Sequence, residues 1–182
     1  HGTTPGNDLR LGEAKLEASR NFANKIWNAS RFVMANVVEH SDGMSVNITG
    51  VDELQDRWIL SRLNKTVESV NDALNRFELG DAQEKIWNFI WHEYCDWYIE
   101  MAKLRLGNTE VESPGFVLTY VLDQTLRLLH PFMPFITEEV WQKLNSRIPR
   151  EGNLPKSIMI APYPRADQSC FDPQAEKSMQ HI

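Results

Sequence analysis

Four polar side chains of the kind that reads nucleobases recur along one helical repeat. In the stretch RNFANKIWNASRFV, residues 20–33, Arg20, Asn24, Asn28 and Arg31 stand at i, i+4, i+8 and i+11. At about 100° per residue they share an arc of roughly 80°, a stripe about three turns long, and Trp27 borders it. Phe22, Ala23, Ile26, Ala29, Ser30 and Val33 fall on the opposite, broad face. A guanidinium offers coplanar donors and stacks on a π-face. A carboxamide sets donor beside acceptor, as the Watson–Crick edges of adenine and cytosine do. Such groups suit bases splayed out of a single-stranded RNA loop. The same residues also fit a plain solvated face, with Asn24 and Asn28 bonded to the loop at 40–50 and Arg20 paired with Glu17 or Glu13. Spacing alone leaves both readings open.

Other clusters carry less chemistry. His92, Glu93, Cys95 and Asp96 crowd a turn and a half of helix but lack the second ligand pair of a zinc site. They read as a buried histidine and a core cysteine. Trp87, Trp91, Tyr94, Trp97, Tyr98 and Met101 have the composition of a base-stacking platform, yet their helical spacing reads as a bundle core. His130, just before Pro131, reads as a cation at a helix C-terminus, and Glu138 and Glu139 as first-turn acids of the next helix. Cys95 and Cys170 are far apart and outside any CxxC pair, so neither a disulfide framework nor a metal site is expected. Forms such as GxGxxG and GKS/T are missing. No catalytic residue is assigned.

The elements that must position the stripe are helical. The pattern predicts a first helix from about Gly12 to Val38, then a loop, HSDGMSVNITG. A second helix is expected from Asp52, as N-cap, to Gly80, as the left-handed stop. The third opens on a capping box, Asp81 with Glu84, and ends at Gly107. The fourth starts with Ser113 as cap and Pro114 at its first position, and stops at Pro131; Pro134 opens the fifth. Beyond Asn145 the chain is Pro-rich, holds one strand-like run, SIMIA, and finishes on the start of another helix. The expected fold is mostly α: an antiparallel helical bundle over residues 1–146, with a small mixed α/β extension over 147–182.

Bulk properties are consistent with this. Of 182 residues, 42% are hydrophobic and 24% charged, which describes a globular chain. No apolar run approaches a membrane span and no signal peptide opens the chain, so the expected setting is cytoplasmic, without a membrane partner. A net charge of −6 argues against a generic basic nucleic-acid binder. The charge is uneven, however. Residues 1–35 carry five Lys/Arg against three acids, while residues 36–112 carry seven against fifteen. The helix in question is the basic segment.

RNFANKIWNASRFV closely resembles the opening segment of the anticodon-binding helical domain of class I aminoacyl-tRNA synthetases, the valyl-tRNA synthetases in particular. TTPGNDLRL resembles the loop that enters that domain. IWNFIWHEYCDWYIEMAK resembles its Trp-rich helix, and LLHPFMPFITEEVWQKL the bent helix pair shared by the valyl, leucyl and isoleucyl enzymes. The four pieces come in the family's order between residues 3 and 164. The resemblance implies recognition of the tRNA(Val) anticodon stem-loop, whose last two anticodon bases are A and C. It implies a parent valine–tRNA ligase that uses ATP and magnesium. The partners implied are that stem-loop and the remainder of the synthetase chain. The resemblance supports the segment; within it the helical wheel makes Arg20, Asn24, Asn28 and Arg31 candidate base and phosphate contacts, Trp27 and Phe32 candidate stacking groups, and Lys25 a candidate phosphate contact. The family's HIGH-type and KMSKS-type signatures are absent, as are its editing domain and C-terminal coiled coil, so the fragment itself is expected to be a recognition module without cofactor or metal. Two alternatives remain at this point: the corresponding domain of an isoleucyl or leucyl enzyme, and a helical protein-interaction module.

Overall fold

A computed structural model describes residues 13–36, 51–106, 114–147 and 155–180. Helix α1 spans Glu13–Ala35 and α2 spans Leu54–Asn75. Helix α3 is built of three continuous pieces, Leu79–Asn88, Phe89–Tyr98 and Ile99–Arg105, joined by right-handed helical residues. Helix α4 is Gly115–Leu129 and α5 is Pro134–Asn145, with Pro134 in its first turn as expected. Two short 3₁₀ turns, Ile158–Ile160 and Gln168–Cys170, lead to α6, Pro173–Met179, which Asp172 caps through the Ala175 N–H. Gly12, Val38, the loop at 40–50, Gly107, Ser113 and the TTPGNDLRL stretch lie outside the described residues.

The core forms where the apolar stripes of α1 to α5 meet. Ile26 and Val33 anchor α1 against it, and Trp141, Tyr94, Tyr98 and Phe89 are its largest fully buried side chains. Full burial of such a side chain contributes about 1.5–3 kcal/mol. Four of the polar side chains in the core tie helices together. Tyr94 donates its hydroxyl to the Leu118 carbonyl at 2.7 Å. Tyr98 and Arg105 both donate to Asp56, each at 2.7 Å, and tie α3 to the start of α2. Trp141 donates to Asp123 at 2.9 Å and joins α5 to α4.

The middle of α3 is π-helical: the Ile99 N–H reaches back five residues to the Tyr94 carbonyl. Phe89, Tyr94 and Ile99 are buried, as are Ile90 and Cys95. Intervals of five keep both sets on the core face only if each turn is widened in this way. Trp87 and Trp91 are half-buried and stacked at 5.0 Å, whereas Trp97 is exposed. The aromatic run is thus core on one side and surface on the other.

Several expected stops and caps are corrected. Gly80 does not end α2. Phe77 takes the left-handed position, φ 59°, and Gly80 lies inside α3. The Glu78 N–H bonds the Ala73 carbonyl at 2.9 Å and the Phe77 N–H the Leu74 carbonyl at 3.0 Å, a Schellman closure with phenylalanine where glycine is usual. An L-residue with a Cβ pays about 1–2 kcal/mol for that conformation. Asp52 is not the cap of α2: the helix starts one residue later, after Glu53, with no side-chain cap bond. The expected capping box does not form, because Asp81 is already helical and accepts from Lys85 at 2.8 Å. Pro114 precedes α4 instead of occupying its first position. Glu138 and Glu139 sit beyond the first turn of α5; Glu138 accepts from Ser157 at 2.6 Å, and Glu139 pairs with Lys143 at 2.8 Å.

The mixed α/β extension is also corrected. Among the described residues there is no strand, and SIMIA forms a 3₁₀ turn. An extended run of five residues needs a neighbouring strand to satisfy its backbone; here the Ser157 side chain caps the Met159 N–H and, of the run, Ile158 alone is fully buried. The segment 155–180 is instead strapped to the bundle by polar contacts. The Asp167 N–H meets Asn64, Asn71 donates to the Pro164 carbonyl, and Tyr163 donates to the Leu128 carbonyl. Arg57 pairs with Asp172, and Lys65 with Glu176, both at 2.7 Å.

Candidate nucleic-acid interface

Helix α1 lies on the bundle with α3 on one flank and α5 on the other. Its buried side, Phe22, Ile26, Ser30 and Val33, recurs every three or four residues, and the Ser30 hydroxyl is satisfied by the Ile26 carbonyl at 2.7 Å. That anchoring turns Arg20, Asn24, Asn28 and Arg31 outward, and all four are exposed. Among the described residues neither arginine is in an ion pair. The suggested partnership of Arg20 with Glu17 does not form; Glu13's side chain is outside the described set.

The other three candidates sit lower and are held by neighbouring helices. Lys25 is half-buried, bonds Asp96 of α3 and lies 4.1 Å from the centre of the Trp91 ring. Trp91 belongs to a stack with Trp87 and Phe22 that fixes the start of α1 on α3. Phe32 is half-buried, with the Lys103 ammonium 5.5 Å from its ring. Trp27 lies on the opposite flank, half-buried, with the Lys143 ammonium of α5 4.6 Å from its ring. Arg147, just past α5, donates to the Met34 carbonyl at 3.3 Å.

Between α1 and α3 runs an open groove of about 440 Å³. Asn24, Asn28 and Phe32 line it together with Asn21, and Asp96, Glu100 and Lys103 face them. Ala29, Cys95 and Ile99 also line it and supply its apolar part. Burial pushes the Cys95 thiol up to about 12, with the Asp96 charge adding to the rise and Lys25 opposing it. The sulfur is therefore a neutral lining group, not a thiolate. Trp91 and Phe32, each beneath a lysine ammonium, lie towards the two ends of the groove. Carboxamides, guanidinia and aromatic faces thus border one concave strip.

The groove brings together Asn24, Lys25, Asn28 and Phe32, leaves Arg20 and Arg31 on the ridge beside it, and leaves Trp27 on the far flank. Sequence reasoning missed Asn21, Asp96, Glu100, Lys103, Lys143 and Arg147. Asn21 falls about 20° from Asn28 on the helical wheel, a signal that was available. The others come from α3 and from the end of α5, and no spacing within α1 points to them. The expected reading of His92, Glu93, Cys95 and Asp96 holds for the cysteine, which is buried, but not for His92, which is exposed. Glu93 instead forms a two-pronged pair with Arg62, at 2.6 and 2.8 Å. Among the described residues no helix is long and apolar enough to cross a membrane.

Known proteins share this chain's sequence and fold. A valine–tRNA ligase of Dehalococcoides mccartyi (strain CBDB1) is 52% identical over 180 residues, 98% of this chain and 20% of the relative. One from Oceanobacillus iheyensis is 48% identical over 184 residues, the whole of this chain and 20% of the relative. The chain therefore spans about a fifth of the length of these curated relatives. Among solved structures, a chain of the LeuRS–tRNA–LeuAMS ternary complex of Agrobacterium radiobacter K84 shares the fold, with a TM-score of 0.67 over 90% of this chain and 18% of that one, at 17% identity. The family model for the anticodon-binding domain of tRNA ligases matches residues 56–182. With a helical bundle that presents an outward strip of arginine and asparagine side chains, and with that match over more than two thirds of its length, the chain belongs to the anticodon-binding domain family of tRNA ligases.

Proposed function

We propose that this chain binds the anticodon loop of tRNA(Val) as part of a valine–tRNA ligase, and that α1 is the reading helix. The observation that carries the proposal is the outward row Arg20, Asn24, Asn28 and Arg31 beside the groove lined by Asn21 and Phe32. Valine anticodons share A and C as their last two bases, whose Watson–Crick edges each place a donor beside an acceptor, the pattern a carboxamide complements. Asn24 and Asn28 supply the edges, Phe32 a stacking face, and Arg20, Arg31 and Lys25 the positive charge for phosphates. Trp27 borders the strip on the α5 side and would touch only a base that crosses the ridge.

The names of the relatives, at about half identity along essentially the whole chain, support valine over leucine or isoleucine. The parent enzyme would attach valine to tRNA in an ATP- and magnesium-dependent reaction in the cytoplasm; this chain would contribute recognition and leave the chemistry to the remainder of the synthetase. Within the chain, residues 1–146 would form the recognition bundle and 147–182 the passage towards the next region.

The test is a titration of this chain with anticodon stem-loops that differ only in the anticodon. The valine stem-loop should bind tighter than the isoleucine and leucine versions by at least tenfold. Equal affinities would refute valine-specific reading, and preference for another anticodon would reassign the domain.

A further inference from the structure

The groove between α1 and α3 has two unlike walls. Asn21, Asn24 and Asn28 line it from α1, and Asp96, Glu100 and Lys103 stand across from them on α3. Cys95 and Ile99, both buried, form its floor on the α3 side, and the exposed Asp96 and Glu100 form its rim. The asparagine wall by itself leaves one choice open. A carboxamide carries a donor and an acceptor side by side, and a half-turn of its end exchanges them. Turned one way it meets the amino-and-acceptor edge of adenine or cytosine. Turned the other way it meets the keto-and-N–H edge of guanine or uracil equally well. Among the described residues no hydrogen bond holds the side chain of Asn21, Asn24 or Asn28 in either sense. A carboxylate has no such freedom, because it only accepts. Beside an exocyclic amino group it gains a hydrogen bond; beside a keto oxygen it faces a second acceptor.

The two carboxylates of the rim are not equivalent. Asp96 bonds Lys25 of α1 through one oxygen, and the His92 ring lies 3.6 Å from the other. Glu100 makes an exposed pair with Lys103, less than a turn further along α3, through Oε1 at 2.6 Å. Its second oxygen has no hydrogen-bond partner among the described residues. Exposed pairs of this kind contribute little, and Lys103 has a second attachment, the face of Phe32 at 5.5 Å. Glu100 is therefore the acceptor that the groove holds ready for a ligand. Its charge also repels phosphates from the groove and leaves them to Arg20 and Arg31 on the ridge.

We propose that Glu100 sets the specificity of the groove: its carboxylate accepts from the exocyclic amino group of a base seated against the asparagines, and so admits adenine or cytosine and turns away guanine or uracil. The proposal rests on the reading above that this groove takes an anticodon base. It divides the work between the two walls. The asparagines on α1 supply pairing that either kind of edge can use, and the single acceptor on α3 decides which kind is kept. Gln in place of Glu100 keeps the length of the side chain and restores the freedom to turn, so it should admit both.

The test crosses this residue with single groups on the RNA. Three stem-loops are compared: the valine anticodon, the same with hypoxanthine for its A, and the same with uracil for its C. Each replacement exchanges an amino group for a keto oxygen and turns the neighbouring acceptor into an N–H. Affinities are measured by fluorescence anisotropy for the unsubstituted chain, Glu100→Gln and Glu78→Gln. Glu78 is an exposed carboxylate away from the groove, paired with Arg76, so its variant makes the same change of charge elsewhere. At one of the two bases the unsubstituted chain and Glu78→Gln should prefer the amino form at least about fivefold, and Glu100→Gln should prefer it less than about twofold. Affinity of Glu100→Gln for the valine stem-loop itself should stay within about threefold, since a carboxamide still accepts from an amino group. A preference that survives in Glu100→Gln, whatever happens to its overall affinity, would overturn the proposal and leave the reading of the groove standing. An equal loss of preference in Glu78→Gln would assign the effect to net charge and would overturn it too. Absence of any preference in the unsubstituted chain would overturn both the proposal and the reading beneath it.

Discussion

Asn28→Ala and Arg31→Ala separate recognition from folding more cleanly than any other pair on α1. Both side chains are exposed, and among the described residues neither makes a hydrogen bond or ion pair that anchors the helix. Exposed substitutions of this kind change stability by about 0.5 kcal/mol or less. A well-formed edge-on pair with a base is worth about 1–3 kcal/mol of discrimination, about 5- to 160-fold in affinity. Asn28→Ala should therefore bind the valine stem-loop about 5- to 160-fold more weakly, Arg31→Ala should bind every stem-loop more weakly with a shallower salt dependence, and their unfolding midpoints should stay near that of the unsubstituted chain. Ile26→Ala, three per cent exposed and on the opposite face, serves as the converse control. Its truncation costs about 2–5 kcal/mol of stability. The assay is fluorescence anisotropy with a labelled stem-loop, run beside urea denaturation on the same samples. Two outcomes refute the reasoning: full affinity in both variants, or an affinity loss that merely follows a loss of fold.

Four further outcomes follow from the same geometry. Affinity for the stem-loop should fall with salt; about two to four phosphate contacts from the cations around α1 give a log–log slope of about −1.4 to −2.8, and a flat response would contradict phosphate contact. Phe77→Gly should stabilise the chain by about 0.5–1 kcal/mol, the relief of the left-handed cost less the entropy glycine brings to the unfolded chain, as read by denaturant unfolding. Arg105→Met leaves the Asp56 carboxylate without its guanidinium in the core and should cost about 3–5 kcal/mol, with much of the loss recovered in Asp56→Asn/Arg105→Met. The docking of α6 should weaken in acid. The Ala175 N–H, and then Arg57, hold the Asp172 carboxyl below its ordinary range; burial raises that of Glu176, but Lys65, Ser61 and Arg62 together bring it below the ordinary value. Depressed folded-state values mean that this stabilisation is complete above the unfolded carboxylate pKa, about 4, and is lost as pH falls through the lower folded values. Hydrogen exchange over residues 173–179 should accelerate only there.

Much of the fold was legible because the helices are long and their apolar periodicity is strong. Proline at 134 also marked its helix correctly, since it acts within one turn of where it stands. The failures concern signals whose outcome depends on neighbours. Gly80 and Phe77 compete to close α2, and the chain turns at the phenylalanine, whose ring stays exposed. Asp81 fits a cap by type, but the helix has already begun. SIMIA satisfies a strand by composition, yet no partner strand arrives. The π-helical stretch of α3 gives no local warning, because buried intervals of five are invisible until the core is known. The exposure of the stripe Arg20, Asn24, Asn28 and Arg31 was legible for the same reason as the helices. Its setting was not: Lys103, Glu100, Asp96 and Lys143 reach the strip only through the packing of α3 and α5 on α1.

The most direct measurement of whether α1 reads the anticodon is a side-chain amide NMR titration of Asn21, Asn24 and Asn28. Addition of the valine stem-loop should shift the Asn24 and Asn28 amide resonances, and replacing the middle anticodon base should abolish those shifts. Binding that leaves the three amides unmoved, or moves them identically for every anticodon, would contradict the account.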